Sequence, residues 1–384
     1  MTPGAPVTTP DRALTTAVLA ELRATALVAV GVAPADPFVS TRHDLLERRA
    51  AGLHGGMNFT YRNPTRSTDP GRIVDDARSL VVGALDYLRA QPAGEEPGAL
   101  ASARVARYAW SDQYRDLRAC LTRGADLLQG AGYRAEVVVD DNALVDREAA
   151  RRAGIGWFGH NANLLREGGG SWFVLGSIVT DATLVPSGAT ESYGCGSCVR
   201  CIDECPTAAI VAPGVVDARR CLAWLLQAPG VFPRQFRAAL GDRMYGCDEC
   251  QEVCPPNVVR ARRSPPPPPG AGAHPTVDVA AFLVDDDAEV MRAAGRWYVA
   301  NRDPRHLRRN ALIVLGNAGD PDDERVIGAV TAALAHDDPL VRAHAVWTAA
   351  RLGRPDLADG LLTTEADPMV REELEQRDDV PARR

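Results

Sequence analysis

Four cysteines within eleven residues, Cys195, Cys198, Cys201 and Cys205, with Pro206 directly behind them, limit what this chain can fold into more than any other feature. The C-x2-C-x2-C-x3-C-P run is the spacing of a module that holds two four-iron clusters. Three thiolates close on one cubane, and the fourth reaches across to another. A second set follows in Cys247, Cys250 and Cys254, again ahead of a proline, and the distant Cys221 replaces its missing first member. By that cross-over pattern Cys195, Cys198, Cys201 and Cys254 hold one cluster, and Cys205, Cys221, Cys247 and Cys250 hold the other. Two structural zinc ions are the competing reading, since paired C-x2-C units also build tetrahedral sites. Three evenly spaced cysteines suit a cubane better, because one zinc takes only two from such a turn.

The chain has nine cysteines in 384 residues. Its opening residues show no basic start, apolar core and small-residue cleavage site, so thiols used for metal or redox work are expected, not disulfides. The ninth, Cys120, falls on a predicted amphipathic helix as a small buried thiol. No apolar run approaches membrane-spanning length, and the expectation is a soluble cytoplasmic protein with no membrane partner. A formal charge of -7 argues against a uniformly basic nucleic-acid binder but leaves room for a local patch. The chain contains no lysine, a compositional bias that weakens any argument from arginine alone.

Residues 1–190 read as an α/β domain. "TTAVLAELRATALVAVG" has helical spacing, while "SLVVGALDYL", "AEVVVD" and "WFVLGSIVTD" are β-branched runs fit for buried strands. "AEVVVDDNALVDREAARRAGIG" predicts a strand, an acidic loop and a helix ending at Gly154, an order that brings polar side chains to a strand's end. Trp157 and Trp172 are expected in the core. Residues 191–262 form a ferredoxin-like two-cluster module, and 263–275, with "SPPPPPGAGAHP", a proline- and glycine-rich linker or strap.

Residues 276–384 read as an all-α domain of HEAT-like repeats. "DPRHLRRNALIVLG" and "DPLVRAHAVWTAARLG" share an Asp-Pro start, a hydrophobic-Arg pair (Leu307-Arg308, Val341-Arg342) and an alanine one turn on, Ala311 and Ala345. Within this domain "MRAAGRWYVANRDPRHLRR" sets six arginines against one aspartate, with Trp297 and Tyr298 interleaved. Guanidinium groups pair with phosphates and aromatic rings stack on bases, so this segment, with Arg308 and Arg309, is the candidate RNA surface.

Taken together these residues resemble the epoxyqueuosine reductase family, cobalamin-dependent iron-sulfur enzymes of tRNA queuosine synthesis. The resemblance runs through "RRAAGLHGGMNFTYRNPTRSTDP", "RYAWSDQY", "VDDNALVDR", "AGIGWFGHNANLL", "GSWFVLGSI", both cysteine sets with Cys221, and "LRRNALIVLGN", and so covers nearly the whole chain. It implies reduction of epoxyqueuosine to queuosine at the wobble position of tRNA by Co(I) cobalamin, bound base-off and supplied with electrons by the two 4Fe-4S clusters. The absence of an Asp-x-His-x-x-Gly motif agrees with a cobalt that has no histidine ligand.

The family's proton donor falls on Asp140 and its partner arginine on Arg147, with Asp141 a neighbouring alternative. Loss of the epoxide oxygen requires protonation, and partial burial near the cofactor would lift such an acid's pKa. Met57, Tyr61, Asn161 and His160 fall where the family approaches its cofactor, and Tyr114 where it lines the substrate pocket. The implied partners are tRNA carrying epoxyqueuosine and a low-potential electron donor such as flavodoxin or ferredoxin. The polar end "REELEQRDDVPARR" points to a monomer.

Departures from the family pattern fall in the pocket. Where the family reads Gly-x-Asp-Tyr-His after "RYAW", this chain has Ser111, Asp112, Gln113, Tyr114 and Arg115. The lysine after "GWFG" is His160, the small residues after the loop's first acid are Asp141 and Asn142, and Cys-Pro-Trp-Asn becomes Cys254, Pro255, Pro256 and Asn257. A related cobalamin and iron-sulfur reductase acting on a different small molecule, as reductive dehalogenases do, is the alternative. An electron carrier or RNA-binding module with structural clusters is the third reading.

Overall fold

The computed structural model describes residues 9–59, 61–92, 99–189 and 194–382. The first eight residues, part of the stretch read as lacking an export leader, lie outside them. Asp11 caps α1 (Arg12–Arg23) by accepting the Leu14 N–H at 2.8 Å. The helical spacing expected through Gly31 stops there. The Thr25 hydroxyl donates to the Leu22 carbonyl at 2.6 Å, and the apolar residues beyond it form β1 (Leu27–Pro34). A run rich in valine gains more by pairing in a sheet than by extending a helix.

After β1 come α2 (Val39–Ala50), β2 (Ser79–Asp86), β3 (Ser102–Val105), α3 (Gln113–Gly130), β4 (Ala135–Val139), α4 (Asp146–Arg152) and β5 (Phe173–Thr180). Four of the strands make a sheet in the order β1-β2-β5-β4, with every neighbour antiparallel. Both faces are covered, which is why β2 and β5 read as continuous apolar runs. Val81, Leu85 and Ile178 pack under α1 and α3, while Leu80, Val82 and Val179 pack under Phe38 and the alanines of α4. Gly83 lies opposite Gly176 at the centre of the sheet. A Cβ at Gly176 would stand 2.8 Å from the Leu121 side chain, so these glycines let α3 lie close against the strands.

The three sequence regions do not stand apart. A second sheet, in the order β6-β3-β7, takes β6 (Arg243–Tyr245) from the cluster module, β3 from the first domain and β7 (Thr276–Asp278) from the start of the helical region. The segment read as a linker is a docked strap. The Ala90 N–H donates to the Pro267 carbonyl at 2.8 Å, and the His274 N–H to the Trp110 carbonyl at 2.9 Å. One hydrophobic core runs through Val105 and Trp110, through Leu225, Phe232 and Tyr245, and on into the repeat helices. Those helices are α5 (Asp287–Ala294), α6 (Arg305–Ala318), α7 (Glu324–Leu334), α8 (Pro339–Arg351) and α9 (Pro368–Glu375). Asp338 and Asp367, the acids of two Asp-Pro starts, cap α8 and α9 through the Leu340 and Met369 N–H groups.

This shared core corrects the expectation that Arg308 and Arg309 face RNA. Arg309 is fully buried, and its guanidinium donates to the carbonyls of Leu225, Ala228 and Gly230 in the cluster module at 2.5–3.1 Å. Arg308 is buried as well, donating to the Phe282 and Asp285 carbonyls and to Asp287 at 2.8–3.0 Å. Its repeat counterpart Arg342 does the same with Glu365 and the carbonyls of His336 and Asp337. The hydrophobic-Arg signature is thus an internal staple. Arg309→Ala would strand several buried carbonyls, each costly to leave unpaired, so a loss of about 3–5 kcal/mol is expected. A urea midpoint unchanged in that variant would refute the staple.

Candidate active site and cluster module

β4 ends at Val139, and the chain turns at once into the acidic loop. Asp140 has φ 52°, the left-handed region that non-glycine residues rarely occupy, and its side chain is exposed. Asp141 is committed to the turn itself, accepting the Ala143 N–H at 2.8 Å, which leaves Asp140 as the loop acid free to face outward. The loop is anchored where the Val145 N–H donates to the Ser67 carbonyl at 2.9 Å, and α4 starts at Asp146.

Tyr114, on the first turn of α3, faces Asp140, Asp146 and Arg147 from the other side. Although Asp140 lies at the surface, the walls around it partly desolvate its carboxyl, and this, then Asp141 and Asp112, push it above its usual range, opposed by Arg118 and Arg296. The structure therefore brings Tyr114, Asp140 and Arg147 together as the sequence expected. It adds Asp112, Asp146, Tyr108, Tyr245 and Arg296, which sequence reading passed over. Arg296 sat in the arginine-aromatic segment already singled out, but nothing local separated it from its neighbours.

The substituted positions are turned away. Gln113 is buried and donates to the Ser111 hydroxyl at 2.8 Å, while Arg115 is exposed and pairs with Asp116 at 2.9 Å. Asp112 caps α3 by accepting the Arg115 N–H at 3.0 Å, and it remains near enough to Asp140 to raise its pKa.

One oxygen of Asp146, Oδ1, is buried without a hydrogen-bond partner. Burial pushes this carboxyl up to about 8, Arg147 lowers it, and Asp140 and Asp141 raise it further. An unfolded aspartate titrates near about 3.9, so between roughly pH 4 and 8 the folded chain keeps a proton that the unfolded chain has released. Stability from this group therefore falls as pH rises through that window. Asp146→Asn should melt at least about 2 °C above the parent at pH 8 and level with it near pH 4. An equal gap at both pH values would remove Asp146 as the cause.

Beside the acid loop runs the irregular segment that follows α2. It is tied to the cluster module by the Ala218 N–H donating to the Leu53 carbonyl and the Trp224 indole N–H donating to the Gly55 carbonyl, both at 2.8 Å. Met57 and Tyr61 are half-buried here, with the His54 ring 5.7 Å from that of Tyr61 and His54 Nδ1 buried without a partner. A cavity of about 440 Å³ opens between Asn58, Arg62, Asn63, Arg66 and Asn142, and so joins this segment to the acid loop.

Two further expectations need correcting. His160 is buried and its Nδ1 meets the Cys198 carbonyl at 2.7 Å, and the buried Asn161 amide donates to the Cys250 carbonyl at 3.0 Å. Both side chains brace the cysteine loops, because the turn carrying them is wedged between those loops. Of the tryptophans, Trp172 is buried as expected, whereas Trp157 is half-buried against Gly194 with its indole N–H unpartnered.

The thiols fall into two neighbourhoods. Burial raises the Cys201 and Cys254 pKa values, Cys254 to about 11, with Cys195 the next contributor on both, Cys201 following it on Cys254, and Cys198 acting on each. Burial likewise raises Cys221, Cys247 and Cys250, Cys247 to about 12, with Cys205 acting on Cys221 and Cys221 acting on Cys247 and Cys250. Cys201 acts on Cys250, so the two neighbourhoods adjoin. The Ala209 N–H already points at Cys205 Sγ, 3.2 Å away, as amides do around cluster sulfurs. Among the described residues, no three His, Cys, Asp or Glu side chains converge on a single metal ion.

A double thiol neighbourhood abutting an acid-and-tyrosine wall, held by a helical repeat array, defines a multidomain iron-sulfur oxidoreductase. A family of 4Fe-4S double cluster binding domains matches residues 194–257, and HEAT repeats match residues 297–376. The epoxyqueuosine reductase of Xanthomonas campestris is 35% identical over 79% of this chain and 86% of its own length. That of Bacillus subtilis is 31% identical over 90% of each. A crystal structure of an epoxyqueuosine reductase with an epoxyqueuosine-modified tRNA-Tyr stem loop has a TM-score of 0.85 at 26% identity, covering 96% of this chain and 98% of that one. A Bacillus subtilis structure, its catalytic loop swung out of the active site, has a TM-score of 0.84 at 27% identity over 96% and 99%. The chain belongs to the epoxyqueuosine reductase family and is an oxidoreductase. No helix among its described residues is long and apolar enough to cross a membrane.

Proposed function

We propose that this protein reduces the epoxide of epoxyqueuosine at the wobble position of tRNA, giving queuosine, with cobalamin and two 4Fe-4S clusters as cofactors. The observation that carries the reading is the position of the Asp140 loop. Asn142 lines the cavity shared with Asn58, Asn63, Arg62 and Arg66, and Tyr245, which faces Asp140, stands two residues before Cys247. Cobalamin fits this setting, since its rim carries carboxamides and its tail a phosphate, and the cavity offers amides and guanidiniums. The unpartnered His54 Nδ1 and the half-buried Met57 and Tyr61 adjoin it. When bound there, cobalamin supplies a strongly reducing metal centre for opening the epoxide.

The chain's own residues manage the proton and the substrate. Asp140 holds a proton within reach of the opening and delivers it to the departing epoxide oxygen, which leaves as water once a second proton arrives from solvent. Arg147 and Tyr114 orient the nucleoside beside it. The thiol neighbourhoods support Cys195, Cys198, Cys201 and Cys254 on one cluster and Cys205, Cys221, Cys247 and Cys250 on the other. The first set lies toward solvent, where Gly196, Ser197, Val199 and Arg200 are exposed, so a flavodoxin or ferredoxin would deliver electrons there. The protein would act as a monomer in the cytoplasm.

The test is direct. Full-length protein carrying both clusters and cobalamin, given a strong reductant and a stem loop bearing epoxyqueuosine, should yield queuosine in the digested RNA by mass spectrometry. Epoxyqueuosine left unchanged would refute the function.

A further inference from the structure

Of the six arginines in the segment from Met291 to Arg309, five are committed within the fold. Arg292 pairs with Glu289, Arg305 with Asp303, and Arg308 with Asp287, while Arg302 and Arg309 donate to backbone carbonyls. Arg296 alone has neither a hydrogen bond nor an ion pair among the described residues. It nevertheless faces Asp112, Tyr108, Tyr245 and Tyr114, and it weakens the hold of Asp140 on its proton. Two carboxylates are near, yet neither has captured it.

The turn that carries Arg296 is held from several sides. Gly295 ends α5 with φ 54°, and Arg302 Nη1 donates to the Gly295 and Trp297 carbonyls at 3.4 and 3.3 Å. Trp297 is stacked on Tyr245 with centroids 4.7 Å apart and planes 7° from parallel, and on Phe282 at 5.9 Å and 12°. The Tyr298 N–H donates to the Tyr245 hydroxyl at 2.8 Å. The repeat domain is thus clamped to the strand that leads into Cys247, and the turn presents two exposed side chains, Arg296 and Tyr298, the latter 54% exposed. An unpaired guanidinium two residues from an exposed ring, at the edge of an acid site, has the chemistry to hold a nucleotide's phosphate and base.

We propose that Arg296 pairs with an RNA phosphate flanking the nucleotide that enters the Asp140 site, while the Tyr298 ring stacks on an adjacent base. The proposal rests on the tRNA reading above and narrows it, naming the point where the repeat domain takes hold of the RNA. It also accounts for the idle guanidinium, since an arginine already paired to Asp112 or Asp140 would have to break that pair to bind phosphate.

The test is fluorescence anisotropy of an unmodified anticodon stem loop with the full-length protein over a range of salt. Arg296→Ala should weaken binding about tenfold and flatten the slope of log affinity against log salt by about 0.7–1, one phosphate contact. Arg296→Lys should retain most of that slope. Tyr298→Ala should weaken binding with the slope unchanged, because stacking releases no counterions. Arg292→Ala, on the exposed face of α5, should alter neither. Affinity and slope in Arg296→Ala equal to the parent would overturn the proposal, as would a loss of affinity with an unchanged slope. So would a shifted pH profile of turnover with unaltered RNA binding, which would make Arg296 a tuner of Asp140 only. A stem loop that the parent binds through Arg296 but does not reduce when it carries epoxyqueuosine would sink the function and leave this contact standing.

Discussion

Asp140→Asn should slow turnover by about 100- to 10,000-fold, the usual contribution of a general acid, while both clusters and cobalamin stay bound. The isosteric amide keeps the size of the side chain but has no proton of comparable acidity to give. No hydrogen bond among the described residues depends on the Asp140 carboxyl, so the loop should keep its shape. The pH profile supplies the second readout. Partial desolvation and the neighbouring Asp141 and Asp112 raise the Asp140 pKa, so the protonated form survives further toward neutral pH, and turnover should fall as pH rises through that value. Asp140→Asn should lose that limb. A rate within tenfold of the parent, with the limb intact, would move the proton to another group, and Asp146 would be the next to test.

Cys254→Ser should abolish turnover and remove the cluster shared with Cys195, Cys198 and Cys201, leaving the other. The two clusters would form a one-electron wire, so losing one should stop delivery and not merely slow it. The experiment also separates two pairings. If each cysteine run served its own cluster, Cys254→Ser would instead disturb the set containing Cys247 and Cys250. Iron content falling by about half, with the EPR signal of the cluster held by Cys205 and Cys221 retained, is the expected result. Loss of that second signal with the first intact would reverse the pairing.

How much of this was legible in the sequence differs from residue to residue. The cysteine spacings are local, since two or three intervening residues place thiols on one short turn. The strands at Ser79–Asp86, Ala135–Val139 and Phe173–Thr180 were legible because a sheet covered on both faces reads as short, nearly continuous apolar runs with valine and isoleucine among them. The repeat helices announced themselves through Asp-Pro caps that accept N–H groups only two residues away. The end of the first helix was not legible, because an apolar run suits helix and strand alike until a partner strand is present.

Side-chain destinations were less accessible. Arg309 and Arg296 look equivalent in a chain whose fixed positive charges are all arginine, and they end in opposite circumstances. The carbonyls that hold Arg309 lie about eighty residues earlier, between Leu225 and Gly230. The acid and tyrosine side chains that surround Arg296 come from two distant segments, Tyr108 to Tyr114 and Tyr245. His160 and Asn161 were read as cofactor contacts from their place in a motif, whereas their partners are the carbonyls of Cys198 and Cys250. By itself the sequence determined the cysteine spacing of a double-cluster module, the strands and the repeats, because each rests on spacing within a few residues. Only the tertiary structure decided which charged and polar groups are buried, stapled or left free at the site. A polar group's partner is set by whichever distant backbone the folded chain brings within hydrogen-bond reach.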